Sequence, residues 1–318
     1  MAAEENAWAE YWGGAEGFEA VGGTHRHKLA EHWTAFFGHM PRLQPNSPVV
    51  VDIAAGAGVA LISAIDALAQ QGLFLALDYS SAAVKSACQA NPSIKGVAAE
   101  GARLPFGDGC ADFVISQFGI EYAGLAAFTE AARLLAPGGR YQSISHYSGG
   151  AIDLECAENE RLLGVLEKTQ LISAARATLD ASFSRSSRRD PAPIDAALDL
   201  AFATALGTMQ SAASAAPASA ARATLERFLA DLTRLSARRM AYAPADALGW
   251  LSGMQATLGA YLRRMQSMRA AALDTDKIRA IAKVFNTAGL TDFRAEPLRL
   301  DEHRPPAAWV IEARRPSL

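Results

Sequence analysis

The sequence predicts an α/β fold, namely a doubly wound, mostly parallel sheet with a helical insertion after its fifth strand. Between residues 49 and 146, short apolar runs alternate with segments of helical periodicity, which favours parallel strands covered by helices on both faces. From residue 150 to residue 273 the strand signals are lost and alanine is very frequent, a composition that favours helices over a structureless loop. Alternation of helix and strand then resumes and continues almost to residue 318.

The individual elements follow from these patterns in chain order. Thr24–Phe37 carries an apolar stripe typical of an amphipathic helix, and a proline-rich segment separates it from the sheet. The first part of the sheet is predicted as strands 49–53, 73–78, 95–99, 112–116 and 139–146, with helices 59–70, 80–90 and 124–135 between them. The insertion is predicted as helices 152–180, 194–215, 218–241 and 246–271, with a polar, basic loop at 182–193. The chain is completed by helix 276–288 and by strands 293–300 and 308–314.

Composition and charge narrow the class of protein. Half of the residues (50%) are hydrophobic, and a net charge of −3 gives no general attraction to nucleic acid or to anionic membranes. Cys88, Cys110 and Cys156 are scattered without CxxC spacing, which favours a reducing compartment and argues against disulfides or a metal site. The acidic N-terminus has no signal-peptide pattern, and no apolar run reaches about 18 residues. We therefore expect a cytoplasmic protein with no nucleic-acid or membrane partner.

One β-turn-α-β unit is typical of a nucleoside-binding site. Val49–Gly58 reads VVVDIAAGAG, so an apolar run is followed by an acid and then by a turn of small residues. A helix and a second apolar run follow, and the second run ends in Asp78. Small residues let the backbone approach a ligand, and an acid at a strand tip can accept hydrogen bonds from both ribose hydroxyls. On this pattern alone, a dinucleotide and S-adenosylmethionine remain as competing cofactors.

The downstream motifs resemble those of class I S-adenosylmethionine-dependent methyltransferases. The segments that carry this resemblance are AEGARLPFGDGCADFVISQFGIEY (99–122) and EAARLLAPGGRYQSISH (130–146). The first motif of that family, D-x-G-x-G-x-G, stands here at residues 52–58 with Ala54 in place of the first glycine, whereas residues 54–59 do not supply the G-x-G-x-x-G of a dinucleotide site. The resemblance returns at Thr275–Arg315. It implies S-adenosylmethionine as cofactor and a seven-stranded sheet with one antiparallel strand.

The resemblance also implies where the cofactor is held. Glycines in the turn after the first strand would approach the methionine part, the acid after the second strand would bind the ribose, and residues after the third strand would contact adenine. Residues after the fourth strand would lie at the carboxyl edge of the sheet, where ligands of such folds bind. The predicted cofactor-binding residues are Asp52, Ala54, Gly56, Gly58, Asp78, Tyr79, Glu100, Gly101, Gln117 and Phe118. At the position of Glu100 the family usually has aspartate.

The residues of methyl transfer are less clearly indicated. Transfer from a sulfonium is an in-line displacement, so alignment of the acceptor can suffice, and a general base is needed only if the acceptor keeps its proton. His146, at the end of the predicted fifth strand, is the first candidate base. Glu121 and Tyr122, after the fourth strand, are the next candidates. The residues that we expect to contact the acceptor are Trp8, Tyr11, Trp12 and Tyr147.

The predicted organisation has three parts: an N-terminal cap segment (1–48), a cofactor-binding core (49–149 and 274–318) and the helical insertion (150–273). The insertion is expected to cover the acceptor, to form a homodimer contact, or both. We expect a methyltransferase that acts on a small molecule such as a metabolite, a quinone precursor or a natural product. The alternatives are a nucleic-acid or protein methyltransferase and a non-catalytic cofactor-binding protein with a helical interaction domain. With 14 Arg or Lys against 12 Asp or Glu, the insertion has no basic excess that would favour nucleic acid.

Overall fold

The computed structural model describes Trp8, Tyr11, Trp12 and residues 25–38, 47–188 and 196–317. Internal contacts divide the chain into two compact units. The first unit is formed by Met1–Leu154 and Ser267–Leu318, and the second by Glu155–Gln266. The second unit therefore lies within the stretch predicted as an insertion.

The first unit is built on a seven-stranded sheet with the strand order β3-β2-β1-β4-β5-β7-β6. Strand β7 runs antiparallel to both of its neighbours, and the remaining pairs are parallel. This confirms the predicted fold class, including the single antiparallel strand. The strands are β1 (Val49–Ile53), β2 (Leu73–Asp78), β3 (Ile94–Ala98), β4 (Ala111–Gln117), β5 (Leu135–His146), β6 (Thr291–Leu298) and β7 (Ala308–Arg314).

Helices connect these strands and form the second unit. They are α1 (Arg26–Gly38), α2 (Val59–Ala67), α3 (Ser81–Ala90), α4 (Gly124–Leu134), α5 (Ala151–Thr169), α6 (Leu171–Arg188), α7 (Ala196–Ala215), α8 (Ala220–Ala237), α9 (Pro244–Ala271) and α10 (Thr275–Thr287). None of the helices in the described ranges combines the length and the apolar character that crossing a membrane requires.

Two apolar clusters cover the two faces of the sheet, because successive side chains of a strand point to opposite faces. Phe113 of β4 packs with the aromatic residues of α1, and its ring lies 6.1 Å from that of Phe36. On the other face, Tyr141 of β5 lies 4.9 Å from Phe285 of α10. Helices thus cover both faces of the sheet, and the loops that follow β1, β2, β4 and β5 lie at its carboxyl edge.

The second unit has its own apolar core, to which helices α5 to α9 contribute leucines and aromatic residues. The rings of Phe228 and Trp250 stack with centroids 5.7 Å apart. The predicted single helix 152–180 is instead two helices that meet at Gln170, whose φ of +53° ends α5. The loop predicted from residue 182 was wrong in its first part, since α6 continues to Arg188. Ser182 fits there because its hydroxyl donates to the Thr178 carbonyl at 2.8 Å.

Candidate functional site

The turn after β1 forms the floor of the predicted cofactor site. Its backbone is left-handed at Ala54 (φ +55°), Gly56 (φ +54°) and Gly58 (φ +73°). The amide of Ala55 donates to Leu77 at the end of β2 (2.9 Å), so the turn lies against the neighbouring strand. Glycine adopts positive φ without strain, whereas alanine at position 54 does so at a cost.

Asp78 joins this turn to the end of β2. One carboxylate oxygen accepts the Gly56 amide at 2.9 Å, and the other accepts the Ser80 amide at 2.8 Å. Burial raises the pKa of Asp78, and the two backbone hydrogen bonds oppose that rise. The neighbouring Tyr79 is largely exposed, with 61% of its surface accessible to solvent.

Asp52 lies below the turn rather than on its surface. Its carboxyl is buried, and its Oδ1 atom has no hydrogen-bond partner among the residues that the structure describes. Burial raises the pKa of Asp52 well above its ordinary value, and the negative charge of Asp78 raises it further. Asp52 therefore lies beneath the turn, where its burial favours the neutral form of the carboxyl group.

The loop after β4 packs directly on the loop after β1. The Ser116 hydroxyl donates to the Ile53 carbonyl (2.7 Å) and accepts the Ile120 amide (2.9 Å). Gly119 lies so close to Ala54 that a Cβ atom added to Gly119 would be 2.8 Å from the Ala54 Cβ. These contacts hold the carboxyl ends of β1 and β4 together.

Gln117 and Phe118 have different surroundings at the end of β4. Gln117 accepts a hydrogen bond from the Trp33 indole of α1 (2.7 Å), which ties its amide to the helix. Phe118 has a φ of +53°, an uncommon conformation for a bulky residue, and its ring lies 4.7 Å from that of His146. The Phe118 ring therefore contacts the candidate base His146, whereas the Gln117 side chain is bound to α1.

Glu100 and Gly101 follow β3 in an exposed turn. The Glu100 carbonyl accepts the Arg103 amide at 2.9 Å, and Gly101 lies close to Ala123, where an added Cβ would be 3.1 Å from the alanine Cβ. The next loop is fixed by the Arg133 guanidinium, which contacts Glu130 and the carbonyl of Leu104. The Glu130 pKa is lowered by this arginine.

His146 and Glu121 form a hydrogen-bonded pair at the ends of β5 and β4. His146 Nδ1 lies 2.7 Å from Glu121 Oε1, and the same oxygen accepts the His146 backbone amide at 2.9 Å. Both side chains are buried, with 6% of the histidine and 0% of the glutamate side chain exposed. Rings of Phe118 and Tyr122 border the imidazole, Tyr122 at 5.9 Å. The structure thus brings three of the predicted residues, His146, Glu121 and Tyr122, into one place.

The N-terminal aromatic residues lie along the same edge. The Trp12 indole rests on Gly56, because a Cβ added there would be 2.6 Å from the indole. Trp8 lies edge-on to Tyr122 with ring centroids 5.3 Å apart. The structure does not bring Tyr147 to this group. Its ring stacks on Trp309 at 4.6 Å, on the opposite face from His146.

Sequence reasoning missed three residues that shape this edge. Ser116, Trp33 and Arg133 had no predicted role in the site, although Ser116 and Arg133 lie within the quoted family segments. Ser116 and Arg133 act on backbone groups through their hydroxyl and guanidinium, and Trp33 acts through its indole N–H. Their contacts with Ile53, Leu104 and Gln117 join segments that are distant in sequence, so spacing alone carries no signal for these contacts.

Part of the chain is similar to a known protein family. Residues 50–139 match the sequence model of a methyltransferase domain family. A search of curated proteins found no match. Among solved structures, the chain is similar to one from the complex between the Haloferax volcanii Trm112 methyltransferase activator and a methyltransferase. That match has 25% identity, a TM-score of 0.37, and coverage of 44% of this chain and 61% of the other.

Two further solved structures are also similar to the chain. A S-adenosylmethionine-dependent methyltransferase from Aquifex aeolicus shares 18% identity at a TM-score of 0.31, with 38% of this chain and 64% of that chain covered. Geranyl diphosphate C-methyltransferase from Streptomyces coelicolor A3(2) shares 20% identity at a TM-score of 0.33, with coverage of 38% and 48%. In all three matches the chain spans less than two thirds of the length of the other protein.

Proposed function

We propose that the chain, in which residues 50–139 match a methyltransferase domain family, transfers a methyl group from S-adenosylmethionine to a small-molecule acceptor that loses a proton. The observation that carries the proposal is the buried hydrogen bond between His146 and Glu121 at the carboxyl edge of the sheet. An imidazole held by a carboxylate is suited to accept a proton from a hydroxyl or a protonated nitrogen.

The described residues fit the cofactor of this domain family. Each Asp78 oxygen accepts one backbone amide, and a carboxylate oxygen has a second lone pair that can accept a ribose hydroxyl. Gly56 and Gly58 both have positive φ, and a Cβ added to Gly58 would lie 3.1 Å from the Ala87 Cβ, so glycine allows the turn to keep this shape. When bound, S-adenosylmethionine supplies an electrophilic methyl group on a sulfonium.

The pair orients the histidine for proton transfer. In the tautomer whose Nδ1–H donates to Glu121 Oε1, the Nε2 lone pair is left to accept a proton. The acceptor atom would lose its proton to Nε2 as it takes the methyl group. Glu121 would balance the positive charge that develops on the imidazole, and the proton would later pass to solvent.

Burial of the pair supports a small acceptor. The imidazole is bordered by Phe118 and Tyr122, and only 6% of the His146 side chain is exposed, so the reacting atom must enter between rings. A slender or planar acceptor can do this more readily than a base within a duplex or a folded protein chain. The even balance of charge gives no support for nucleic acid.

Cofactor binding and methyl transfer can be tested separately. Calorimetry with S-adenosylhomocysteine should show binding that falls at least about tenfold in Asp78→Ala, because hydrogen bonds to a charged group contribute about 1.5–3 kcal/mol each. Asp66→Ala, an exposed aspartate on α2, is the matched control and should bind like the wild type.

The acceptor class requires a screen with methyl-tritiated S-adenosylmethionine. Pools of phenols, carboxylic acids, amines and thiols should be compared with RNA, DNA and protein substrates. Label transfer to a small-molecule pool supports the proposal. Transfer only to a macromolecule would contradict it, and cofactor binding without transfer to any pool would favour the non-catalytic alternative.

A further inference from the structure

The Trp12 indole lies on the cofactor turn itself. Two of its ring carbons would be 2.6 and 2.7 Å from a Cβ atom added to Gly56. The Gly56 amide is the group bound to Asp78, so the indole lies next to the residues that hold the cofactor in the proposed function. A ligand that is bound to Asp78 and runs along this turn therefore meets the edge or face of the indole.

A continuous series of aromatic contacts leads from Trp12 to the candidate base. Ring centroids are 4.9 Å apart for Trp12 and Tyr11, and 5.7 Å apart for Tyr11 and Trp8. The series continues through Tyr122, which lies 5.3 Å from Trp8 and 5.9 Å from His146. All four contacts are edge-to-face, which is a favourable geometry for aromatic pairs. We call Trp12, Tyr11, Trp8 and Tyr122 the aromatic bridge.

The far end of the bridge is anchored within the same unit. The Trp8 indole N–H donates to the Ser267 hydroxyl at 3.5 Å. Tyr122 follows Glu121 directly in the turn after β4, so its position and that of the Glu121 carboxylate depend on the same backbone. A displacement of the rings would therefore change the position of the His146 and Glu121 side chains.

We propose that Trp12 contacts the bound cofactor and that the aromatic bridge couples cofactor binding to the surroundings of His146. This inference rests on the proposed function, because it takes the Gly56 turn as the cofactor site. Cofactor binding beside Trp12 restricts the motion of its ring. The edge-to-face contacts then restrict the motion of the other rings as far as Tyr122. By linkage, an acceptor held beside His146 then binds with a different affinity when the cofactor is present.

Indole N–H resonances provide the test, since the chain has five tryptophans and each gives one signal. The signals are assigned by single Trp→Phe variants, and the protein is titrated with S-adenosylhomocysteine. We expect the Trp12 and Trp8 signals to shift. Trp309, whose indole is bound to the Leu273 carbonyl, and Trp250, which is stacked on Phe228, serve as internal controls and should stay in place.

Tyr11→Ala tests the coupling, because it removes the middle of the bridge without changing Gly56 or His146. In this variant the ligand should still shift the Trp12 signal, while the Trp8 shift should be lost. Trp12→Ala should weaken S-adenosylhomocysteine binding about three- to tenfold, and Trp12→Phe should keep most of the affinity.

The outcomes separate this inference from the proposed function. If calorimetry shows that the wild type does not bind S-adenosylhomocysteine, the proposed function fails and the bridge fails with it. If the wild type binds but the Trp12 signal does not move, or all five signals move together, the proposed function stands and the bridge is refuted. A Trp8 shift that persists in Tyr11→Ala would also refute the coupling.

Discussion

His146 Nδ1 lies 2.7 Å from Glu121 Oε1, and this one oxygen also accepts the backbone amide of His146. The shared acceptor fixes the carboxylate relative to the end of β5 as well as to the imidazole. The ring therefore has little freedom to rotate, and its tautomer is set by a group with a fixed position. The proposed reaction depends on this relationship, because it presents Nε2 as the atom that takes the proton.

Removing the imidazole should lower turnover and leave cofactor binding intact. We expect His146→Ala to reduce the turnover of bound substrate about 10²–10⁴-fold, which is the usual contribution of a general base. The affinity for S-adenosylhomocysteine, measured by calorimetry, should stay close to that of the wild type. Wild-type turnover in the variant would eliminate His146 as the base.

Glu121→Gln tests the partner without creating a cavity. The amide oxygen can still accept from the His146 backbone, but it carries no charge to balance the imidazolium. Turnover should therefore fall by about tenfold or more, with an unchanged affinity for S-adenosylhomocysteine. Glu302→Gln, at an exposed position, is the matched control and should be without effect. Equal rates in the two variants would mean that the carboxylate only supports the fold.

The close contact between Gly119 and Ala54 makes a third prediction. A Cβ at position 119 would be 2.8 Å from the Ala54 Cβ, so Gly119→Ala must push the loops after β1 and β4 apart. We expect weaker binding of S-adenosylhomocysteine, by about tenfold, in a protein that still unfolds cooperatively. The shift in loop position would cost about 1–3 kcal/mol of stability.

Gly107→Ala is the matched control for this substitution, since an added Cβ meets nothing within 4 Å there. It should leave both the affinity and the urea midpoint near wild-type values. If Gly119→Ala binds S-adenosylhomocysteine as tightly as Gly107→Ala, the contact between the two loops does not shape the cofactor site.

The sequence was informative about the sheet because its signals are local. Val49–Gly58 and the run ending in Asp78 predict a strand, a turn and a second strand, and the structure places them in β1 and β2. The insertion was harder to divide, since alanine-rich sequence continues across Gln170, where only a positive φ marks the break between α5 and α6. Helical propensity does not report such a break.

The candidate site shows the same division between local and distant signals. His146, Glu121 and Tyr122 could be named because each lies at the end of a predicted strand or shortly after one. Their pairing depends on the register of β4 against β5, which sets Gln117 opposite Ile144 and is not readable from either strand alone. The position of Asp52 beneath the turn rather than on it depends likewise on the packing of neighbouring strands.

Ala54 is the position at which the chain departs from the family motif. The structure gives it a φ of +55°, the region in which the glycine of the motif would be unstrained. We expect Ala54→Gly to raise the free energy of unfolding by about 1 kcal/mol, measured by urea denaturation. Ala55→Gly, at a neighbouring position outside the left-handed region, should lower it by about 0.5–1 kcal/mol. Equal destabilisation by both variants would show that Ala54 bears no strain.

Asp52 should make stability depend on pH in a direction opposite to that of most carboxylates. Burial, and then the charge of Asp78, raise its folded-state pKa above the unfolded value, so the folded protein holds a proton that the unfolded chain releases. Its stabilising contribution is complete below about pH 4, the unfolded pKa. The contribution is lost as pH rises through the folded-state pKa, with a slope of up to about 1.4 kcal/mol per pH unit.

Asp52→Asn removes this titration and keeps the shape of the side chain. The free energy of unfolding of this variant, relative to that of the wild type, should therefore increase as the pH is raised from about 4 towards 8. Over this range only the wild type loses stability, because its folded state must either ionise a buried carboxyl or bind a proton that the unfolded chain has released. Urea denaturation at several pH values measures the difference. Asp66→Asn, at an exposed position of α2, should follow the wild type throughout. A stability difference between Asp52→Asn and the wild type that stays constant with pH would show that Asp52 is ionised in the folded protein, stabilised by a group near its Oδ1 atom.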